Sequence, residues 1–162
     1  MKLFDSLLEI ILKNNLTITL NEGAINDFNR FISRTTGIFF ILAGSPRSGK
    51  SYFVEKFIVP KQRGLIITNP DDISLIFSGD PNTFHRGSTN LSMKRSQALL
   101  KKRKDNASFV YDSTGSDNTR LKTLATQAKD NGYKVVVINV MSPLKVALER
   151  NKNAERHVDE EY

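Results

Sequence analysis

Gly44-Ser45-Pro46-Arg47-Ser48-Gly49-Lys50-Ser51 follows the apolar run Gly37-Ile38-Phe39-Phe40-Ile41-Leu42-Ala43 and precedes a helix-like stretch, Tyr52 to Phe57. Its spacing is GxxxxGKS, that of a phosphate loop between a strand and a helix. Successive backbone N–H groups must turn inward around a phosphate with no side chain in the way, which glycine at both ends permits. Lys50 then reaches the β- and γ-phosphates as a point charge, Ser51 offers a hydroxyl to Mg²⁺, and the helix contributes the positive end of its dipole. Gly, Ser and Pro also punctuate ordinary turns, but a turn does not require Lys-Ser after the second glycine. The leading expectation is nucleotide binding, with residues Gly44, Ser45, Pro46, Arg47, Ser48, Gly49, Lys50 and Ser51 as the cradle.

Downstream, strand-like and helix-like segments alternate, the pattern of a parallel sheet covered on both faces. The strands expected after Ile38–Ala43 are Gly64 to Thr68, Ser108 to Tyr111 and Lys134 to Val140. A helix is expected from about Asn90 to Lys104, with Leu91, Leu99 and Leu100 on its apolar side. Asp117 or Ser116 can cap a helix over Asn118 to Asn131, Gly132 can stop it, and Pro143 can open a last helix from Leu144 to Arg150. Upstream, Leu3, Phe4, Leu7, Leu8 and Ile11 recur at helical spacing over residues 2 to 13. Leu16 to Leu20 alternates like a half-buried strand, and Asn21 can cap a second helix carrying Ile25, Phe28, Phe31 and Ile32. The expected organisation is an N-terminal helical extension over residues 1–36 and a phosphate-loop domain over 37–162. The extension either packs as a lid or offers a docking surface to a protein partner.

A chain of 162 residues is one ordinary domain with an appendage. Its 24 Lys and Arg against 17 Asp and Glu leave +7, which favours polyanionic partners. With no cysteine, disulfides, thiolate metal sites and a cysteine nucleophile are excluded. Asp5 and Glu9 break the apolar N-terminal stretch and no cleavage site follows, so no signal peptide is expected. No run approaches the roughly 20 apolar residues that cross a bilayer. The reading is a soluble, cytoplasmic protein with no membrane partner.

The acids fall where chemistry is expected. Asn69-Pro70-Asp71-Asp72-Ile73 puts two carboxylates at the carboxyl end of the second strand, the edge where parallel sheets bind ligands. One can accept the proton of an attacking hydroxyl, or both can simply cap the next helix. Asp112-Ser113-Thr114-Gly115 ends the third strand at the same edge, where Asp112 can hold Mg²⁺ through water, bind the acceptor or serve the turn. Arg150, Lys152, Arg156 and His157 form a basic segment whose cations can neutralise a transferring phosphoryl group or merely face solvent. Lys94, Arg95, Lys101, Lys102, Arg103 and Lys104 make one helix strongly basic, a face that can follow a nucleic-acid backbone or stand solvated.

Together with the loop, Asn69 to Ile73, Tyr111 to Gly115, Ala128-Lys129 with Gly132-Tyr133, and Pro143-Leu144 through Arg150-Asn151 to Arg156 resemble the phosphate-loop kinases that include 5′-hydroxyl polynucleotide kinases and zeta toxins. The resemblance runs in order from Gly37 to Tyr162. It implies that Asp71 is the general base, that Asp112 organises the acceptor site, and that Arg156 belongs to a lid over the nucleotide. Polynucleotide kinases carry an acceptor-holding arginine where this chain has Ser74, so Arg86 or Arg47 is its expected substitute. The lid often carries another arginine where Ala154 stands. The family's fifth strand has no counterpart before Tyr162, so either the sequence is a piece of a longer chain or another strand, such as Leu16 to Leu20, covers that edge.

The expectation is therefore a three-layer α/β/α phosphate-loop fold with strand order 2-3-1-4. It would use ATP and Mg²⁺ to move a phosphoryl group to a hydroxyl on a nucleic-acid 5′ end or a nucleotide-like small molecule. Catalysis falls to Lys50, Asp71 and Arg156, with Arg150 beside the nucleotide and Asp72, Arg86, Asp112 and Thr114 on the acceptor. The competing class is a nucleotide-binding module without turnover that recruits a partner through its N-terminal helices.

Overall fold

Ile38–Ala43 has no polar side chain with which to face water, and it forms the strand β1 with its first five residues buried. The structure is a computed structural model that describes residues 22–80, 83, 85, 87–102 and 107–153. β1 is flanked by β3 (Phe109–Asp112) and β4 (Lys134–Asn139), and β2 (Ile66–Thr68) pairs with β3 at the edge. All pairs are parallel and the order is β2-β3-β1-β4. Phe39 is in register with Phe109 on one side and Val135 on the other.

On one face, Phe39, Ile41, Phe109, Tyr111 and Val135 pack with Leu100 of α4 (Ser88–Lys102), Leu124 and Ala128 of α5 (Asn118–Asp130), and Tyr133. Phe109 meets Phe39 and Tyr133 edge-on, each at 5.1 Å between ring centres, the geometry the ring quadrupoles favour. Phe40 and Leu42, alternate residues of β1, are equally buried, so the strand is covered on both faces.

Several element ends differ from the sequence reading. β2 is shorter at its start, because Gly64 sits in a left-handed turn at φ 68°. β3 begins and ends one residue later, which makes Asp112 its last residue. β4 stops at Asn139, and α4 begins two residues earlier than expected, at Ser88, while residues 103 and 104 of the expected helix lie outside the described residues. Leu91 does not face the core as expected. It is exposed, and the buried stripe is Ser88, Ser92, Ser96 and Leu100, one residue per turn. The helix after the loop is regular only over α2 (Lys50–Phe53); it widens into a π turn over Val54–Ile58 and tightens into a 3₁₀ turn over Val59–Lys61. Pro60 has no N–H to give the carbonyl of Lys56, so the α ladder cannot run on.

α5 is capped by Asp117, whose carboxylate accepts from the Arg120 N–H at 2.9 Å, and Gly132 at φ 77° follows its end. Pro143 precedes α6 (Leu144–Lys152). The chain divides into two compact units, Met1–Thr35 and Thr36–Tyr162. In the first, α1 (Glu22–Arg34) buries Phe28 and Ile32. The stretches 2–13 and 16–20 and the proposed cap Asn21 lie outside the described residues. Among the described residues no helix is long and apolar enough to cross a membrane.

Candidate active site

The carboxyl ends of β1, β2, β3 and β4 deliver their loops to one edge, where a cleft of about 1080 Å³ opens. The phosphate loop forms one wall. Gly44 (φ 153°) has no room for a side chain, since a Cβ would run into the carbonyl oxygen of Val140 after β4. Its N–H donates to the Thr114 carbonyl at 3.3 Å, and the Ser48 N–H closes the loop onto the Ser45 carbonyl at 3.2 Å. Arg47 (φ 63°) and Gly49 (φ 101°) take left-handed conformations that bend the chain into α2. The Ser48 hydroxyl oxygen is buried with no hydrogen-bond partner, an unmet polar group that an added phosphate would satisfy.

Lys50 is folded onto its own loop. Its Nζ donates to the carbonyls of Gly44 at 2.8 Å and Ser45 at 3.2 Å and stands 3.9 Å from Asp112 Oδ1. Burial raises the Asp112 carboxyl to about 6, with Lys50 pulling it down and the charges of Asp71 and Asp72 pushing it further up. Asp71 and Asp72 lie in the first turn of α3 (Pro70–Ser78), where the helix dipole favours anions. Neither caps it. Asn69 does, its side-chain oxygen accepting from the Asp71 N–H at 2.8 Å. Asp71 and Asp72 line the cleft with Lys50 and Asp112.

Arg150 of α6 reaches the loop from the opposite side and donates to the Arg47 carbonyl at 3.3 Å. Val146, Glu149, Arg150 and Asn153 recur every three or four residues and present one helix face to the cleft. Of these, sequence reasoning found only Arg150; the periodicity is visible in the chain, but the helix's placement over the loop is not. Tyr52, Asn69 and Leu75 also line the cleft and were missed. Asn69 carried a signal, a capping residue directly before Pro70.

Not every expected residue joins. Thr114 is not among the lining residues, and its hydroxyl lies 2.9 Å from that of Ser116. Arg86 and Arg156 lie outside the described residues, as does Ala154. Ser74 is 2% exposed; it donates to the Thr83 carbonyl at 3.1 Å and accepts from the His85 N–H at 2.6 Å. The position that carries an arginine in polynucleotide kinases is here a structural tie. Among the described residues no cluster of His, Cys, Asp and Glu would hold a metal unaided.

Solved structures with this fold include a chain of the Pnkp1/Rnl/Hen1 RNA repair complex, at TM-score 0.57 and 20% identity over 74% of this chain and 38% of that one. A chain of the AvrRxo1-ORF1:-ORF2 complex with ATP matches at TM-score 0.57 and 19% identity, over 81% of this chain and 54% of that one. This chain thus spans less than two thirds of either relative. A search of curated proteins gives no match. The family model for the zeta toxin matches residues 24–161, a span that includes the phosphate loop, both acidic strand ends and α6. The chain belongs to the zeta toxin family of phosphate-loop kinases.

Proposed function

We propose that this protein is an ATP-dependent kinase that transfers the γ-phosphoryl group to a hydroxyl on a nucleic-acid 5′ end or a nucleotide-like small molecule. The observation that carries this reading is the meeting of phosphate loop and paired acids, Asp71 and Asp72, across one cleft at the sheet's carboxyl edge. In it, Lys50 leaves the carbonyls of Gly44 and Ser45 for the phosphates, and the loop amides hold the donor. Ser51 would hold Mg²⁺, which, when bound, neutralises charge across the β- and γ-phosphates. Asp71 takes the acceptor proton as the new O–P bond forms and the bond to the departing ADP oxygen breaks. Arg150 stays beside the loop, Arg156 stabilises the developing charge, and Asp72, Asp112 and Arg86 are assigned to the acceptor side.

Labelled ATP with Mg²⁺ and a panel of hydroxyl acceptors tests this. Asp71→Asn should lower kcat by two orders of magnitude or more while ATP affinity stays near wild type. Transfer at the wild-type rate in that variant removes Asp71 as the base. A second reading, a nucleotide-binding module without turnover that engages a protein partner through its N-terminal helices, is favoured by the tie at Ser74, which leaves that position unable to hold an acceptor phosphate. Tight ATP binding without transfer to any acceptor would support it.

A further inference from the structure

α4 carries Lys94, Arg95, Lys101 and Lys102 on its exposed face and no acidic residue anywhere along its length. None of the four forms an ion pair among the described residues. Four of the chain's 24 Lys and Arg thus stand on one helix that carries no acid to offset them. A charge run alone reads as a solvated surface. Here a second feature lies beside it. Phe77, at the end of α3, is 58% exposed and stacks on His85, also exposed, with ring centres 5.1 Å apart and planes 25° from parallel. The His85 carbonyl accepts the N–H of Ser88, the first residue of α4, so the ring pair sits at the head of the basic helix.

We propose that this pair and the α4 face form a track for single-stranded nucleic acid, with bases stacking on Phe77 and His85 and the phosphates following Lys94, Arg95, Lys101 and Lys102. A base presents a flat π face that stacks on such rings, which an acidic peptide does not offer. The four cations span about 12 Å of helix axis, and Phe77 lies about 9 Å along α3 from Asp71. A strand on the track thus brings one end toward the cleft, a placement that rests on the kinase reading; the binding itself does not. α4 also offers a phosphate contact that Ser74 cannot make.

The test measures binding of a short single-stranded oligonucleotide, with a 5′-hydroxyl and a 3′-fluorophore, to the full chain without ATP over a range of salt. Four phosphate contacts predict a slope of log K against log salt of about −3. Exchanging Lys94, Arg95, Lys101 and Lys102 together for Gln should flatten that slope. Phe77→Ala should weaken binding about tenfold or more at an unchanged slope. Both variants should retain wild-type ATP affinity, which shows that the fold and the phosphate loop are intact. A wild-type slope in the quadruple variant overturns the track. So does equal affinity for polyglutamate or anionic vesicles with no effect of Phe77→Ala. Loss of phosphoryl transfer in Asp71→Asn, by contrast, bears on the kinase alone and leaves this binding untouched.

Discussion

Asp112 is an acid held where its charge is unwelcome. Burial lifts it to about 6 although Lys50 stands 3.9 Å away. The ionised form is therefore less favourable in the folded chain than in the unfolded one. Between about pH 4 and about pH 6 the folded state binds more protons, so this residue makes stability fall as pH rises through that window. The rise to about 6 corresponds to roughly 3 kcal/mol at most. Asp112→Asn should accordingly be more stable than wild type at pH 8, with the difference vanishing near pH 4 as urea unfolding is repeated down the scale. An equal difference at both pH values would show that packing, not charge, separates the two proteins.

At the scale of elements, the site is held by backbone contacts between strand ends and caps. Asn69 caps α3 and lines the cleft, so Asn69→Ala should lose about 1 kcal/mol in urea unfolding. Gly115, at φ 81°, would place a Cβ 2.8 Å from that of Ala43. Gly115→Ala should cost about 2 kcal/mol from the left-handed backbone alone and weaken ATP binding, because the preceding carbonyl holds the Gly44 N–H. The elements themselves were legible wherever one residue type dominates. Ile38–Ala43 is apolar throughout, and the loop behind it is fixed by two glycines and a lysine. α4 was legible as a helix, and Leu99 and Leu100 do pack on the core, but Leu91 turns outward because serines at every fourth position bury as small residues. In the same way α3 buries Ile73 and Ser74 and exposes Leu75, Ile76 and Phe77, an inversion that no apolar stripe in the sequence announces. Asp71 and Asp72 were legible as acids at a strand end, and of the residues that α6 brings to the cleft only Arg150 was, since the others depend on how that helix crosses the loop.

On the scale of the whole molecule, charge and chemistry are set apart. The acids Asp71, Asp72 and Asp112 gather at the cleft, and the cations Lys94, Arg95, Lys101 and Lys102 lie along α4. Among the described residues a buried hydroxyl ties the two regions. Ser74 donates to the Thr83 carbonyl and accepts from His85, which in turn receives the first amide of α4. Ser74→Ala should leave the His85 N–H without its partner, a loss of about 1 to 3 kcal/mol. Hydrogen exchange should show faster exchange of the His85 and Ser88 amides, while those of β1 keep their protection. With Ser74 in place, the same experiment should find the end of α3 and the start of α4 exchanging at one common rate, as a riveted joint flexes as a single piece.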